Sequence, residues 1–389
     1  MLRDVVGIAL PDIGGNGGGV GNDEERSVCG GEIKVSASRS RSHSRSRSDD
    51  VLILGAVGCG AVLGVVARYY LTRANEEVVH AGFSGSARDD DDQRTSAFLE
   101  SNLANMFACL VLGFVKGVKE SNPDMAAARP ALFAGISTGF CGACSTFSTF
   151  ILEICNVVLL RRSAGLGIVT FLCAIAVALS VSYASLRFGF ASARTFALFH
   201  RESHTKTPAQ KKQTQPESAS ASKLKSKIST RTAQVMLWAG LASCAAALIS
   251  IACTSDESAY DVVILCAVGA APFGAWIRWA VSRKNGAYAL PWMTFACNVA
   301  ATAIAVGVYA ALLDQSDSCK TRADISSKIL SGLAAGFAGS LSTMSTFVGE
   351  FSVLEYKSAC VYVFASIGAA QLVSWSILLP VGASRGCWW

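Results

Sequence analysis

Charged residues are scarce in this chain of 389 residues. Only 16% are Asp, Glu, Lys or Arg, whereas 51% are hydrophobic, and the charges are clustered so that long apolar stretches lie between them. A soluble core does not require a series of such stretches. The distribution is typical of an integral membrane protein with several spans.

Histidine is rarer still, and its four residues all lie outside the apolar stretches, at positions 43, 80, 200 and 204. We therefore expect neither a histidine proton relay nor a histidine metal site in the membrane. The G-x-x-x-x-G-K-[ST] motif of nucleotide-binding loops is also missing. Cysteine is common, but the C-x-x-C of Cys141 and Cys144 has no second motif with which to form a redox or metal centre. These absences predict a protein that is not an enzyme.

The apolar stretches predict nine membrane spans in the order four, one, four. Their approximate ranges are 51–71, 98–118, 131–160, 164–190, 233–253, 260–282, 289–313, 326–356 and 358–380. The chain then divides into a disordered basic tail at 1–50, a first four-helix domain at 51–190, a basic linker at 191–232, a connecting helix at 233–253, a second four-helix domain at 254–380 and a C-terminal tail at 381–389.

The two groups of four spans repeat one pattern. Each has an Arg near the end of its first span, an Asn in its second and a Gly/Ser/Thr/Phe motif in its third. Because a single connecting span lies between the two copies, the second copy has the opposite orientation in the membrane. The sequence thus predicts an all-α membrane protein of two inverted four-helix repeats, related by a pseudo-twofold axis like the subunits of an antiparallel dimer.

Loop charges give an independent prediction of orientation. Lys and Arg are in excess in the segments 1–50, 116–130, 191–232 and 282–288, and Arg161-Arg162 is the exception. The positive-inside rule then predicts a cytosolic N-terminus and a C-terminus on the outer side.

The motif in the third span of each half is polar for a membrane segment. It reads Gly-Phe-Cys-Gly-Ala-Cys-Ser-Thr-Phe-Ser-Thr-Phe at 139–150 and Gly-Phe-Ala-Gly-Ser-Leu-Ser-Thr-Met-Ser-Thr-Phe at 336–347. Its glycines are expected to break the helix, which would free backbone carbonyls that protein, water or an ion must satisfy. Alternatively, they allow helices to cross closely.

The hydroxyl groups and rings of the motif suggest a path for a small anion. In the first half the candidate hydroxyl donors are Ser145, Thr146, Ser148 and Thr149, and the ring edges are those of Phe147 and Phe150. The second span of each half adds an amide donor, Asn105 in the first half and Asn298 in the second. Ring edges carry partial positive charge, and uncharged donors suit an anion that must lose water without being held too tightly. Alternatively, the hydroxyls bond their own helix and the rings face lipid.

Four charged residues flank these segments. Arg68 and Arg278 lie near the ends of their helices, where they either extend to the membrane interface or form an anion-attracting vestibule. Glu153 and Glu350 each follow the last Phe of the motif by three residues. A Glu in a membrane can bind a proton or cation, or it can be a hydrated or Arg-paired group near a helix end.

Taken together, these residues resemble the fluoride channel family, known as Fluc or CrcB in bacteria and FEX in eukaryotes. The similarity rests on the duplicated motif, on Gly-x-x-x-Arg-Tyr at 64–69, on the Asn of the second span and on the Glu after the last Phe. Asn105 and Gly113 keep the family's spacing, whereas Gly307 lies one residue farther from Asn298. The four-one-four order is similar to eukaryotic members, in which two bacterial-type subunits are fused.

The resemblance implies a passive, selective fluoride channel of the plasma membrane, which exports fluoride and protects against its toxicity. It implies a fused dimer that acts as a monomer, with fluoride and the lipid bilayer as partners and no nucleic acid. It also implies a structural sodium ion on the main-chain carbonyls of Gly142, Ser145, Gly339 and Ser342.

Two pores are implied by the same resemblance, one pairing Phe147 with Phe347 and the other pairing Met344 with Phe150. A thioether has no positive ring edge, so we expect one intact pore. The expected pore-lining or anion-binding residues are Asn105, Phe147, Ser148, Thr149, Phe150, Asn298, Ser345, Thr346, Phe347, Tyr362 and Ser366, and Arg68 and Arg278 are expected in vestibules.

Two other functions remain open from the residues alone. A proton-coupled transporter of small ions or drugs would use Glu153 or Glu350. A membrane scaffold would use the Arg-Ser repeat at 38–48 and would transport nothing.

Overall fold

A computed structural model describes residues 47–83, 100–159, 164–205, 259–314 and 325–385. Within these ranges the chain is helical and contains no strand. Seven of its segments are long and apolar enough to cross a membrane, which confirms an all-α membrane protein. The connecting span at 233–253 and nearly all of the tail at 1–50 lie outside the described residues, so the total of nine spans stays a prediction.

In the first half, two long helices precede a third that is interrupted and a fourth that is long. The elements are α1 (Arg47–Phe83), α2 (Glu100–Ser121), α3 (Pro123–Ala128), α4 (Pro130–Ala134), a π-helix (Gly135–Cys141), α5 (Gly142–Cys144), α6 (Phe147–Leu159) and α7 (Ala164–Thr205).

The second half repeats this order. Its elements are α8 (Ala259–Ser282), a short 3₁₀ turn (Asn285–Ala287), α9 (Trp292–Asp314), α10 (Ile325–Leu341), α11 (Met344–Phe351) and α12 (Tyr356–Arg385). The predicted eighth span at 326–356 is divided between α10 and α11, so neither piece alone is long enough to cross a membrane.

Several helices are longer than their apolar stretches. α1 continues to Phe83, and α7 continues to Thr205, within the predicted linker. Lys116, which was predicted at the start of a loop, lies inside α2. Hydropathy marks where a chain turns polar, but Lys, Arg and Glu are good helix formers and do not end a helix.

The first spans of the two halves run antiparallel. At one end of the pair, Arg283 Nη1 lies 3.7 Å from Asp50 Oδ1, and Trp276 Nε1 donates to the carbonyl of Leu54 at 2.9 Å. Toward the other end, Val65 and Val263 line one cavity. Corresponding helices with opposite directions are what inverted repeats require.

The third span is broken in both halves, but not at the predicted glycines. The interruptions fall at Ser145–Thr146 and Ser342–Thr343. A Cβ atom on Gly139 would lie 2.6 Å from the carbonyl oxygen of Val57, and one on Gly336 would overlap the carbonyl of Ala267. Because these two glycines bring the third span against the first, the close-crossing interpretation holds for them.

Candidate functional site

The threonine in each break of the third span caps the helix that follows. Ser145 is extended, with φ −88° and ψ 148°, and Thr343 is extended as well. Thr149 N donates to Thr146 Oγ1 at 3.2 Å, and Thr346 N donates to Thr343 Oγ1 at 3.2 Å. A threonine in this position satisfies one of the free N–H groups at the start of a helix.

The asparagine of the neighbouring span holds each break. Asn105 Oδ1 accepts from Thr146 N at 2.8 Å, and its Nδ2 donates to the carbonyl of Thr146 at 3.3 Å. Asn298 makes the same pair of bonds to Thr343, at 2.8 and 3.4 Å. In the structure these amides bond the backbone of the break, and the prediction that they also contact an anion stays a prediction.

These bonds leave four backbone carbonyls without their usual helical donors. In an unbroken helix, Thr146 N would bond the carbonyl of Gly142, and Thr149 N would bond that of Ser145. Both N–H groups are taken by side chains instead. The same holds in the second half, where the carbonyls of Gly339 and Ser342 lose their donors.

The serines of the two motifs bond each other across the halves. Ser145 Oγ lies 2.9 Å from Ser345 Oγ and accepts from Ser345 N at 3.0 Å. Ser342 Oγ lies 3.0 Å from Ser148 Oγ and accepts from Ser148 N at 3.2 Å. Each half thus caps a helix of the other, in the reciprocal pattern of a two-fold interface.

A pair of phenylalanines lies beside this hydroxyl cluster. The ring centroids of Phe147 and Phe347 are 5.2 Å apart with an interplanar angle of 65°, and both side chains are fully buried. The family resemblance implied this pairing, and the two rings meet edge to face. Met344 and Phe150 lie in the same buried cluster, but Met344 contributes no ring.

Tyr362 and Ser366 continue from the ring pair along α12. The Tyr362 ring lies 5.2 Å from that of Phe347, and its hydroxyl donates to Glu350 Oε2 at 2.8 Å. One turn later, Ser366 Oγ is buried and has no hydrogen-bond partner in the part of the chain that is described. An unpaired buried hydroxyl requires an explanation, and an ion or water beside it would supply one.

The two glutamates have different surroundings. Glu153 Oε2 accepts from Ser101 Oγ at 2.6 Å. Glu350 Oε1 accepts from Thr294 Oγ1 at 2.7 Å and from Asn285 Nδ2 at 3.0 Å. Sequence reasoning missed these partners. Ser101 and Thr294 each precede the span's asparagine by one helical turn, which is a signal that could have found those two.

Arg68 and Arg278 do not extend to the interface. They are 9% and 2% exposed, and each crosses to the opposite half. Arg68 Nη2 donates to the carbonyl of Ala335 at 2.6 Å, and Arg278 Nη2 donates to that of Thr138 at 2.7 Å. The guanidinium groups pack on Gly339 and Gly142, where a Cβ atom would overlap them.

The interface interpretation of the two arginines is therefore wrong, because α1 continues beyond Arg68 to Phe83 and the opposite half covers both side chains. Arg68 does line a cavity of about 370 Å³ between α1, α8 and α10. Its role in a vestibule stays a prediction.

Replacement of Asn298 by Ala should destabilise the fold by about 2–4 kcal/mol, because it leaves a buried N–H and a weakly paired carbonyl of Thr343 without partners. Thermal unfolding in detergent would measure this loss. Thr195→Val is a control, since Thr195 is exposed and bonds only its own helix. An equal effect of the two substitutions would contradict the role of Asn298 at the break.

Comparison with known proteins agrees with this arrangement. The family model described as CrcB-like protein, Camphor Resistance (CrcB), matches residues 55–190 and 264–377, one range in each predicted four-helix domain. No solved structure matches the chain significantly.

Two curated relatives are similar to the chain. Fluoride export protein 2 of Saccharomyces cerevisiae is 26% identical over 308 residues, which cover 68% of this chain and 79% of the relative. Fluoride-specific ion channel FluC of Ignicoccus hospitalis is 35% identical over 107 residues, which cover 28% of this chain and 69% of the relative. Because the family model matches more than half of the chain, and does so twice, the protein belongs to the CrcB family.

Proposed function

We propose that the protein is a passive fluoride channel that exports fluoride from the cytoplasm and protects the cell against fluoride toxicity. The observation that carries this proposal is the buried ring pair of Phe147 and Phe347 at the contact between the inverted halves of a CrcB-family chain. The names of the two relatives, a fluoride export protein and a fluoride-specific ion channel, support it.

The proposed path uses uncharged donors at its centre. Edge-to-face rings present hydrogen atoms of partial positive charge, and the hydroxyl of Ser366 is buried without a partner among the described residues. Such groups replace the water of a small anion at moderate strength, so that the ion can both enter and leave. The path runs from Tyr362 past Phe347 and Phe147 to the hydroxyl cluster, where Ser148, Ser345, Thr149 and Thr346 are its proposed lining.

A passive pore suffices for export. An interior-negative membrane potential supplies about 2.3 kcal/mol per charge per 100 mV, which corresponds to an outward gradient of roughly fifty-fold for a monovalent anion. Export from the cell supports a location in the plasma membrane, and the Lys and Arg excess in 1–50, 116–130 and 191–232 supports a cytosolic N-terminus and an outer C-terminus.

One of the two symmetry-related paths is proposed to conduct. The path through Phe147 and Phe347 has two rings in contact and a tyrosine beside them. In the corresponding path, Met344 replaces a ring beside Phe150. Because the fused chain supplies both halves, it is proposed to function as a monomer.

A structural sodium ion fits the donor set at the two breaks. The carbonyls of Gly142, Ser145, Gly339 and Ser342 lose their helical donors, and oxygen atoms are the ligands that hard cations prefer. Arg68 and Arg278 pack on two of these glycines but donate to the carbonyls of Ala335 and Thr138. A cation there would hold the two halves together.

The proton-coupled alternative is not favoured. Glu350 is held by Asn285, Thr294 and Tyr362, and neither relative is named as a coupled transporter.

Purified protein in liposomes should release trapped fluoride when valinomycin and a potassium gradient supply the counter-current, without a pH gradient. A fluoride electrode measures the release, and chloride-loaded liposomes are the control. Release that requires a proton gradient, or no release at all, would overturn the proposed function.

A further inference from the structure

A lysine of the first half reaches the second half at one end of the proposed path. Lys116 Nζ donates to the carbonyl of Gly349 at 2.9 Å, and its side chain is half-buried. A Cβ atom on Gly349 would lie 2.6 Å from Nζ, so the ammonium group packs directly on the glycine and a side chain there would have to displace it. The ammonium group of Lys116 thus lies against the backbone of the second half at Gly349.

The residue after Gly349 is Glu350, a carboxylate beside the path. Its oxygens accept three hydrogen bonds, and all three come from uncharged groups, on Asn285, Thr294 and Tyr362. Tyr362 also contacts the Phe347 ring. The carboxylate is therefore fixed in position near the rings, and Lys116 bonds the residue that precedes it in the chain.

An ionised carboxylate at this position would repel an anion that enters the proposed path. Like charges repel, and the repulsion is stronger in a partly buried site than in water. The hydrogen bonds to Glu350 hold it but bring no positive charge. Lys116 is a cation that the structure places against this segment, through Gly349.

In the described residues, the corresponding helix of the second half, α9, carries no cation at the related position. Tyr309 occupies the position relative to Asn298 that Lys116 occupies relative to Asn105, and it packs in an apolar cluster with Leu313 and Leu378. The second repeat therefore has no lysine at this position, and Lys116 lies only on the side of the molecule that holds the Phe347 ring.

We propose that Lys116 is the counter-charge of Glu350 at the mouth of the fluoride path, so that an approaching anion meets no net negative charge there. The inference rests on the proposed function. It makes Lys116 a positioning residue that acts on the ion through the charge of Glu350, and it distinguishes this role from simple packing against Gly349.

A double-mutant cycle tests the proposal. Lys116→Met should lower fluoride flux in liposomes by about tenfold, which corresponds to about 1.4 kcal/mol of barrier. In a Glu350→Gln background, the same substitution should lower flux by less than about twofold, because no negative charge remains to be balanced. Lys116→Gln, which removes the charge but keeps a donor, should behave like Lys116→Met, and it serves if the methionine variant does not fold.

Lys119→Met is the matched control, because it removes a cation from the exposed last turn of the same helix; its flux should stay within about twofold of the unaltered protein. Equal losses from Lys116→Met in both backgrounds would reduce Lys116 to a packing role and overturn the inference, as would no loss in either. Absence of fluoride flux from the unaltered protein would instead overturn the proposed function, and the inference with it.

Discussion

Replacement of Phe347 by Ile should reduce fluoride flux at least about 100-fold, which corresponds to about 2.7 kcal/mol of barrier. Phe347 contacts the Phe147 ring at 5.2 Å, the Tyr362 ring at 5.2 Å and the Phe351 ring at 5.4 Å between centroids. Isoleucine fills much of the same space but has no ring edge to offer an anion. The flux of reconstituted protein at equal protein content is the measurement.

Phe150→Ile is the comparison within the same protein. Phe150 is buried in the same cluster, but its ring centroid lies farther from that of Phe147, at 6.2 Å. The path to which Phe150 belongs has Met344 in place of a second ring. We expect at least about a third of the flux to remain, a change of less than about 1 kcal/mol in the barrier. Equal losses from the two substitutions, with unchanged thermal unfolding, would contradict the single-path proposal.

The parts of the fold that sequence reasoning predicted are those that the repeat made visible. A motif that occurs twice identifies corresponding helices, and the odd connecting span implies that one copy is inverted. The pairing of Phe147 with Phe347 came from resemblance to the family, and the structure places these rings in contact.

The exact place of the helix break was not predictable in this way. Glycine suggests a break because it lacks a side chain, but the structure breaks at Ser145–Thr146, where Asn105 and the threonine hydroxyl can replace the helical bonds. An isolated helix does not show which polar groups another helix will supply. The break is therefore set by tertiary partners, and the neighbouring glycines serve helix packing.

Contacts across the halves were also beyond the sequence. Arg68, Arg278 and Lys116 all lie near the ends of their predicted spans, where long basic side chains commonly extend to water or the membrane interface. All three instead donate to backbone carbonyls of the opposite half. The position of a residue in a hydropathy profile does not show whether another helix will cover its side chain.

The second and fourth spans pack more closely in the first half than in the second. α2 crosses α7 so closely that a Cβ atom on Gly113 would overlap the carbonyl oxygen of Leu186, and one on Gly189 would overlap that of Leu110. In the second half the corresponding helices carry Gly307, which is one residue out of register with Gly113, and Gly368, and a Cβ atom at either would meet nothing within 4 Å. The looser helix pair is the one that carries Tyr362 and Ser366.

Gly113→Ala should therefore destabilise the protein by roughly 3 kcal/mol, because the new methyl group must displace helix backbone rather than a flexible side chain. Gly307→Ala should be neutral or should stabilise by up to about 1 kcal/mol, because its space is free and Ala is the better helix former. Thermal unfolding in one detergent compares the two variants directly. Similar destabilisation by both would mean that α9 and α12 pack as tightly as α2 and α7, and the structural difference between the two paths would then have to come from Met344 alone.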